Sequence, residues 1–243
     1  MTSLKAMGAA RYALSVAPRR STLWWRFGAR WLGRDAASGA LVEQAAIPGV
    51  AREAFHALTS APRAQGFHAT LKAPFALRDG ATPTELLDAL ARFCSARSPF
   101  SLPPLAAERL GGRLALVPVG RESRVNDLAA DCVREFDALR APLPAVERER
   151  YSDAGLSPRQ ERYLAQWGDP YVLTEFRFHL TLTGSLEQVP PQLVAAVIAA
   201  ARDAVAGLDG TRLRVDAVCL FEQPDPQSPF RLAKRVPFRG GTR

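Results

Sequence analysis

The stretch Gly66-Phe67-His68-Ala69-Thr70-Leu71-Lys72 decides how this sequence is interpreted, because the pattern Phe-His-X-Thr-Leu within it returns later in the chain. The second copy is Phe178-His179-Leu180-Thr181-Leu182, and the two copies contain two of the three histidines of the protein. One His-X-Thr would be an ordinary strand sequence, since threonine is common in strands. A second full copy indicates that the two histidines work as a pair.

Both copies are predicted to be β-strands with one polar and one apolar face. Alternate side chains of a strand share a face, so the Phe and Leu of each copy lie opposite its His and Thr. We expect the apolar faces to pack against helices and the polar faces to line the space between the two strands. The polar faces carry His68, Thr70 and Lys72 in the first copy, and Arg177, His179 and Thr181 in the second.

The order of the predicted elements also repeats around the two copies. Strand, helix, strand, strand is predicted from Gly66 to Val119 and again from Arg177 to Phe238. Such self-similarity indicates an internal duplication. Two related βαββ halves predict a two-lobed α+β protein, with antiparallel sheets and with helices on the outer faces.

The two halves are predicted to form one domain, residues 1–243, rather than two independent domains. Lobe one covers roughly 11–140 and lobe two roughly 171–238. The segment 141–170 between them is rich in proline and charge, which is typical of a connection.

Helices are predicted from apolar periodicity and from their end signals. Trp24, Phe27 and Trp31 fall on one face of a predicted helix over 21–32. The sequence Thr82-Pro83-Thr84-Glu85 is a capping box with proline at the first helical position, and it opens another helix. Further helices are predicted near 50–58, 125–139, 158–167 and 193–205.

The composition is that of a folded protein with a basic surplus. The chain has 243 residues, of which 47% are hydrophobic and 23% charged, with a net charge of +8 and a pI of about 10.1. This length is sufficient for a sizeable core. The positive charge favours an anionic partner such as a phosphate ester or RNA, although a solvated arginine-rich surface explains it equally well.

Cysteine usage and hydropathy predict a cytoplasmic protein that does not enter a membrane. Cys94, Cys132 and Cys219 are widely spaced in apolar stretches, without CxxC or Cys/His ligand spacing, and are predicted to be buried thiols. The start of the sequence shows no signal-peptide pattern. The longest strongly apolar stretch, Leu193 to Ala201, is too short to span a bilayer.

If the two polar faces meet, they bring together two imidazoles, hydroxyl groups and up to two cations, with no carboxylate on either face. A metal site normally includes carboxylate or thiolate ligands beside histidine, and a Ser-His-Asp site needs an acidic partner. We therefore predict neither a metal nor such a triad. The set suits a phosphate group, whose oxygens are held by hydroxyls and cations.

Two histidines can share the proton transfers of phosphate-ester cleavage, because their unperturbed pKa of about 6.5 allows either protonation state near neutral pH. For the two cations, a solvated position at a strand end is an equally good alternative to substrate contact. The predicted catalytic residues are His68 and His179, and the predicted substrate ligands are Thr70, Thr181, Lys72 and Arg177.

At these residues the sequence resembles the two-histidine (2H) phosphoesterase superfamily, whose mark is a pair of His-X-Thr/Ser motifs, here His68-Ala69-Thr70 and His179-Leu180-Thr181. The longer strings from Gly66 and from Glu175 to Gly184, with the opening Arg11-Tyr12-Ala13-Leu14, resemble one branch of it. That branch is a family of phosphonate-metabolism proteins often encoded beside carbon–phosphorus lyase genes. The resemblance covers nearly the whole chain, with one departure at Gln65, where an aromatic residue is expected.

The resemblance implies a bilobal fold in which two antiparallel sheets face a central cleft. It also implies that no metal or other cofactor is needed, and that the substrate is a cyclic phosphodiester or a related phosphate ester. His68 and His179 become the acid–base pair, and Thr70 and Thr181 bind the phosphate.

We therefore predict a metal-independent hydrolase that opens a cyclic phosphodiester of a small ribose phosphate or nucleotide, with a link to phosphonate metabolism. One alternative is a 2′,3′-cyclic phosphodiesterase that processes RNA ends, for which the positive charge would help. Another is a non-catalytic module that binds a nucleotide or phosphate. The near-identity of the two motifs leaves open which histidine is the acid and which is the base.

Overall fold

The computed structural model describes residues 9–120, 122–152, 155–208 and 210–240. Within these ranges the chain forms nine strands and eight α-helices, and the predicted α+β class with antiparallel sheets is confirmed. The strands are β1 Arg11–Val16, β2 Ala69–Ala76, β3 Phe100–Ser101, β4 Leu105–Leu110, β5 Arg113–Pro118, β6 Leu180–Thr181, β7 Arg214–Val215, β8 Ala217–Gln223 and β9 Arg231–Pro237. The helices are α1 Leu23–Leu32, α2 Arg52–Leu58, α3 Ser60–Gln65, α4 Pro83–Ser95, α5 Ser123–Glu135, α6 Ala145–Ser152, α7 Pro158–Trp167 and α8 Pro191–Ala206, with short 3-10 helices at Asp137–Leu139 and Leu173–Glu175. None of these helices has both the length and the apolar character that a membrane span requires.

The helix ends follow the signals in the sequence. Helix α1 begins after Thr22, whose side chain accepts a hydrogen bond from the backbone N–H of Trp25, and it ends at Gly33 with a φ of 76°. The predicted capping box of α4 forms in both directions between Thr82 and Glu85. These contacts satisfy backbone groups that a helix end leaves without partners.

The strands form three antiparallel sheets. The first has the strand order β2-β1-β8-β9, the second β4-β5-β6, and the third pairs β3 with β7. Helices α4 and α5 pack against the first sheet and α8 packs against the second. The first motif copy leads into β2 and the second into β6, so each copy lies at the edge of a different large sheet.

Both large sheets combine strands from the two sides of the segment 141–170. The first sheet pairs β1 and β2 with β8 and β9, and the second pairs β4 and β5 with β6. The element order does repeat, since β2, α4, β3, β4, β5 is followed later by β6, α8, β7, β8, β9. The strands of 11–140 and 171–238 nevertheless do not form one sheet each, because apolar periodicity predicts that a strand exists but not which strand it pairs with.

The apolar residues of the two motif copies lie in the interior, as their alternation predicted. They belong to one hydrophobic cluster that also includes residues of α1, α4 and α5. The motif residues in this cluster are Phe67, Ala69, Leu71, Phe178, Leu180 and Leu182. The three cysteines are also buried as free thiols, as predicted.

Strand β2 contains a β-bulge beside the first motif copy. Thr70 pairs with Ser15 of β1, whereas Lys72 pairs with Leu14, so Leu71 is an additional residue in β2. An additional residue interrupts the alternation of faces in a strand. Thr70 therefore shares a face with Ser15, while Lys72 lies on the opposite face with Leu14.

Candidate two-histidine site

Each motif histidine is the residue immediately before its strand. Strand β2 begins at Ala69 and β6 is Leu180–Thr181, so both strands start later than the sequence predicted. The sheet fixes only the backbone that follows such a histidine, and not the backbone that precedes it. Its ring position therefore depends on the turn that precedes it.

Gly66 makes the turn that places His68. Its φ of 94° lies in the region that favours glycine, and a Cβ on Gly66 would lie 2.7 Å from the Cβ of Ala36. The turn brings the imidazole of His68 against the ring of Phe221, with ring centroids 4.2 Å apart. Because Phe221 belongs to β8, the imidazole lies over the first sheet.

The environment of His68 favours its neutral form. Its ring is partly exposed, but the Nδ1 atom is buried and has no hydrogen-bond partner in the described part of the chain. Burial and the positive charge of His179 lower the pKa of His68 to about 4. The charge of His179 therefore reaches the ring of His68. At pH 7, His68 is therefore neutral and able to accept a proton.

His179 is held in a different way. Its Nδ1 lies 2.8 Å from the backbone carbonyl oxygen of Arg177. A carbonyl oxygen only accepts hydrogen bonds, so Nδ1 must carry the proton and donate it. This bond orients the ring and leaves Nε2 as the nitrogen that is free to bond another group. The same bond is compatible with the protonated ring, in which both nitrogens are donors.

Thr70 and Thr181 are both partly exposed, and each lies two residues after its histidine. Thr70 pairs with Ser15 of β1, and Thr181 pairs with Ala115 of β5. Their hydroxyls form no hydrogen bond within the described ranges. Both hydroxyls are thus able to bind an anion beside the imidazoles.

Lys72 lies away from this site, and the prediction that it shares a face with His68 and Thr70 is wrong. The bulge in β2 turns it to the α5 side, where its side chain is buried. Its Nζ donates to the backbone carbonyl of Val133, at 3.3 Å, and to the carboxylate of Asp137, at 3.2 Å. Burial lowers the pKa of Lys72, and the Asp137 carboxylate opposes this change. We assign Lys72 a structural role.

The side chain of Arg177 is exposed. It lines a surface cavity with Glu108, Glu122 and Phe178, and neither motif histidine is among the residues of that cavity. The contribution of Arg177 that the structure does show is its backbone carbonyl, which holds His179.

Helix α1 touches both motif copies. Phe27 and Phe67 pack edge to face with ring centroids 5.6 Å apart. On the same helix, the indole N–H of Trp31 donates to the backbone carbonyl of Leu182, at 3.0 Å. One helix therefore contacts the residue before His68 and the strand end after Thr181, and it contributes to their relative position.

The groups gathered here include no typical metal-binding set. No three His, Cys, Asp or Glu side chains within the described ranges are clustered in a way that could hold a metal ion. A neutral imidazole, a second imidazole with its orientation fixed, and two hydroxyls provide a proton acceptor, a proton donor and ligands for an anion.

The sequence from residue 70 to residue 231 matches a family described as "Protein of unknown function (DUF1045)". The chain belongs to this family. It is also similar to two curated proteins that carry the name "Ribose 1,5-bisphosphate phosphokinase PhnN". Identity is 38% over 231 residues for the protein of Janthinobacterium sp. (strain Marseille), covering 95% of this chain and 51% of the relative. Identity is 36% over 228 residues for that of Laribacter hongkongensis (strain HLHK9), covering 93% and 51%. The chain spans about half the length of these relatives.

Three contributors to the site of this DUF1045 protein were not found by sequence reasoning. They are Phe221 under the imidazole of His68, the carbonyl of Arg177, and Ser15 on the face of Thr70. A sequence signal existed for the last of these. Small residues alternate along one face, Ala13 and Ser15 in β1 and Ala17 just after it, which leaves room above that face for a ring.

The closeness of α1 to the first motif copy predicts the effect of Gly28→Ala in this DUF1045 protein. A methyl group on Gly28 would lie 2.1 Å from the ring of Phe67. Glycine to alanine normally favours a helix by about 1 kcal/mol, but overpacking costs about 1–3 kcal/mol. We expect Gly28→Ala to lower the free energy of unfolding in urea and to lower activity by displacing His68.

The matched control for this prediction is Gly207→Ala, at the end of α8. A new Cβ on Gly207 would lie 3.5 Å from the carbonyl oxygen of Ala204, which is an ordinary contact distance. The φ of Gly207 is −66°, a value that alanine adopts without strain. This substitution should be neutral or stabilising. Equal effects of the two substitutions on stability would contradict the proposed contact.

Proposed function

We propose that this DUF1045 protein is a metal-independent phosphoesterase that opens a cyclic phosphodiester of a small ribose phosphate or nucleotide. The observation that carries the proposal is that each motif histidine directly precedes an edge strand of a different large sheet, while the charge of His179 acts on the ring of His68. The pKa of His68 is lowered to about 4, partly by the charge of His179, whereas His179 donates from Nδ1 to a carbonyl oxygen. A lowered pKa suits His68 to the role of a base, and a second imidazole within its electrostatic range can take the role of the acid.

In the proposed reaction, the neutral His68 is the general base and the protonated His179 is the general acid. His68 takes a proton from a water molecule through Nε2 as the water oxygen attacks phosphorus. The bond from phosphorus to one ester oxygen breaks, and that oxygen receives the Nε2 proton of His179. The product is a phosphate monoester with a free hydroxyl. Each proton transfer of this type contributes about 100- to 10,000-fold in rate.

Thr70 and Thr181 are proposed to donate to the non-bridging phosphate oxygens. Their hydroxyls are partly exposed, and each follows a histidine at the same spacing at the start of a strand. Negative charge grows on these oxygens as water attacks. Donors that are already in place stabilise the transition state without reorganisation.

A relationship to the 2H phosphoesterase fold is part of this proposal. Two features support it: the repeated element order, and the position of each histidine immediately before an edge strand of a large sheet. The two large sheets would correspond to the two walls of a central cleft, with the motif histidines between them.

The names of the two curated relatives support a ribose phosphate as the substrate class, since both refer to ribose 1,5-bisphosphate. They also support the proposed link to phosphonate metabolism that the resemblance of the sequence implies. A kinase activity for this chain has less support. The chain contains no Gly-Lys pair and hence no G-x-x-x-x-G-K-[ST] loop for nucleotide phosphates.

The decisive experiment is a turnover screen with 2′,3′-cyclic nucleotides, cyclic ribose phosphates and short RNA with cyclic phosphate ends, each with and without excess EDTA. We expect release of a phosphate monoester at the same rate in both conditions. Loss of turnover in EDTA would overturn metal independence. Tight nucleotide binding with no turnover of any substrate would instead support a binding module.

The assignment of His68 as the base predicts an unusual pH dependence. A base is active only when neutral, and with a pKa of about 4 His68 stays neutral at every pH above that value. We therefore expect kcat/KM to fall on the acid side near pH 4 rather than near the ordinary histidine value of about 6.5. If kcat/KM instead falls on the acid side between about pH 6 and 7, close to the unperturbed pKa of histidine, this assignment is wrong.

Processing of RNA ends is a second candidate, and one surface feature favours it. Arg19, Arg212 and Arg214 line a cavity of about 370 Å³ after the end of β1. Such a basic surface suits a nucleic-acid backbone. This candidate predicts that RNA affinity falls steeply with salt, while turnover of a cyclic mononucleotide changes little. Equal salt dependence for both substrates would count against it.

A further inference from the structure

Two polar atoms near the start of β2 are buried without a hydrogen-bond partner in the described ranges, namely Ser15 Oγ and His68 Nδ1. The side chain of Ser15 is fully buried. An unpartnered buried hydroxyl costs about 1–3 kcal/mol, and for that reason the large majority of buried polar atoms have partners. In the described ranges neither atom bonds the other, and one small polar molecule between them would give both a partner.

The strand order places Ser15 beneath the imidazole of His68. Strand β1 lies between β2 and β8, and Ser15 pairs with Thr70 on one side and Cys219 on the other. His68 directly precedes β2, yet its ring contacts Phe221 of β8. The ring therefore extends across β1. Phe221 pairs with Ala13, which shares the face of Ser15, so the imidazole and the hydroxyl lie on the same side of the sheet.

We propose that Ser15 is a positioning residue that keeps the proton of the neutral His68 ring on Nδ1. It does so through one bridging water, which accepts the Nδ1–H of His68 and donates to the hydroxyl of Ser15. Nε2, at the other edge of the ring, then carries the lone pair that accepts a proton from water. This inference rests on the proposed role of His68 as the general base.

The second histidine shows what this arrangement achieves. The carbonyl of Arg177 holds the proton of His179 on Nδ1 and leaves Nε2 to the substrate. With Ser15 in the corresponding role, both rings are anchored through Nδ1 and both present Nε2. A hydroxyl is uncharged, so Ser15 selects the tautomer. It does not add to the charge near His68, which within the described ranges comes from His179.

Ser15→Ala separates a positioning role from a structural one. Alanine removes the buried hydroxyl together with its own need for a partner, so the free energy of unfolding should change little. Turnover of a cyclic phosphodiester should nevertheless fall about 10- to 100-fold, the scale typical of residues that orient a functional histidine. We expect the loss in kcat with KM unchanged. Equal kcat in wild type and variant would overturn the inference.

The tautomer of His68 can be read without any substrate. The chain has three histidines, so nitrogen chemical shifts of ¹⁵N-labelled imidazoles can be assigned with His68 and His179 variants. At pH 7 we expect His68 to be protonated on Nδ1 in the wild type and to shift toward Nε2 protonation in Ser15→Ala. An unchanged tautomer would refute the role of Ser15, whatever the activity.

Two further variants complete the test. Ser15→Thr keeps the hydroxyl and should retain both the Nδ1 tautomer and most of kcat. Cys219→Ala removes the neighbour of Ser15 on β8, on the same face, and should change neither. If the wild type hydrolyses no cyclic phosphodiester, the proposed function fails, and the tautomer of His68 alone then decides the role of Ser15.

Discussion

His68→Ala and His179→Ala are each expected to lower turnover of a cyclic phosphodiester by more than about 100-fold, the scale of a lost acid–base group. The proposed reaction needs both proton transfers in one cycle, so neither histidine can replace the other. The double variant should therefore be little worse than either single variant, because residues that act as a unit are not additive. Single-turnover rates at pH 7 in the presence of EDTA provide the measurement.

His56→Ala is the matched control for this pair. His56 is the third histidine, it lies on α2, and its ring contacts the guanidinium of Arg63 at 3.4 Å rather than either motif histidine. It should keep wild-type turnover. Substantial activity in either motif variant, with normal folding, would remove the two-histidine mechanism. A similar loss in all three variants would indicate general damage rather than catalysis.

Asp137→Ala should lower the free energy of unfolding by about 3 kcal/mol, because it leaves a buried ammonium without its counter-ion. The Asp137 carboxylate accepts from Lys72, at 3.2 Å, and from Arg140, at 2.8 Å. The Lys72 side chain is only 4% exposed, so water cannot replace the lost partner. Urea unfolding at pH 7 measures the change.

A double-mutant cycle separates this structural role from the substrate contact that the sequence suggested for Lys72. Lys72→Met keeps the length of the side chain and removes the charge, so Lys72→Met/Asp137→Ala should recover most of the lost stability. Lys72→Met alone should keep wild-type turnover, because the bulge in β2 turns this side chain away from His68. A loss of turnover comparable to that of His68→Ala would restore Lys72 to the site.

The sequence predicted those parts of the molecule that depend on local chemistry. The capping box at Thr82 and the buried Phe and Leu of both motif copies follow from residue type and spacing. The pairing of His68 with His179 that the repeated motif indicates stays a prediction.

The parts that were not predicted depend on pairing between distant strands. Alternation placed Lys72 on the face of Thr70, and one additional residue in β2 reversed its direction. A bulge is decided by the register between two strands, which no single strand encodes. The pairing of Ser15 with both Thr70 and Cys219 likewise requires β1 to lie between β2 and β8.

The exchange of strands between the two large sheets has a mechanical consequence. Strands β8 and β9 extend the sheet of β1 and β2, and β6 extends that of β4 and β5. A hinge motion within 141–170 could not separate the strands before this segment from those after it. Such a motion would break backbone hydrogen bonds in both sheets. A protease nick in that segment should thus yield two fragments that stay associated and keep the histidine pair assembled. The catalytic geometry would be set at folding, and substrate would enter a rigid site.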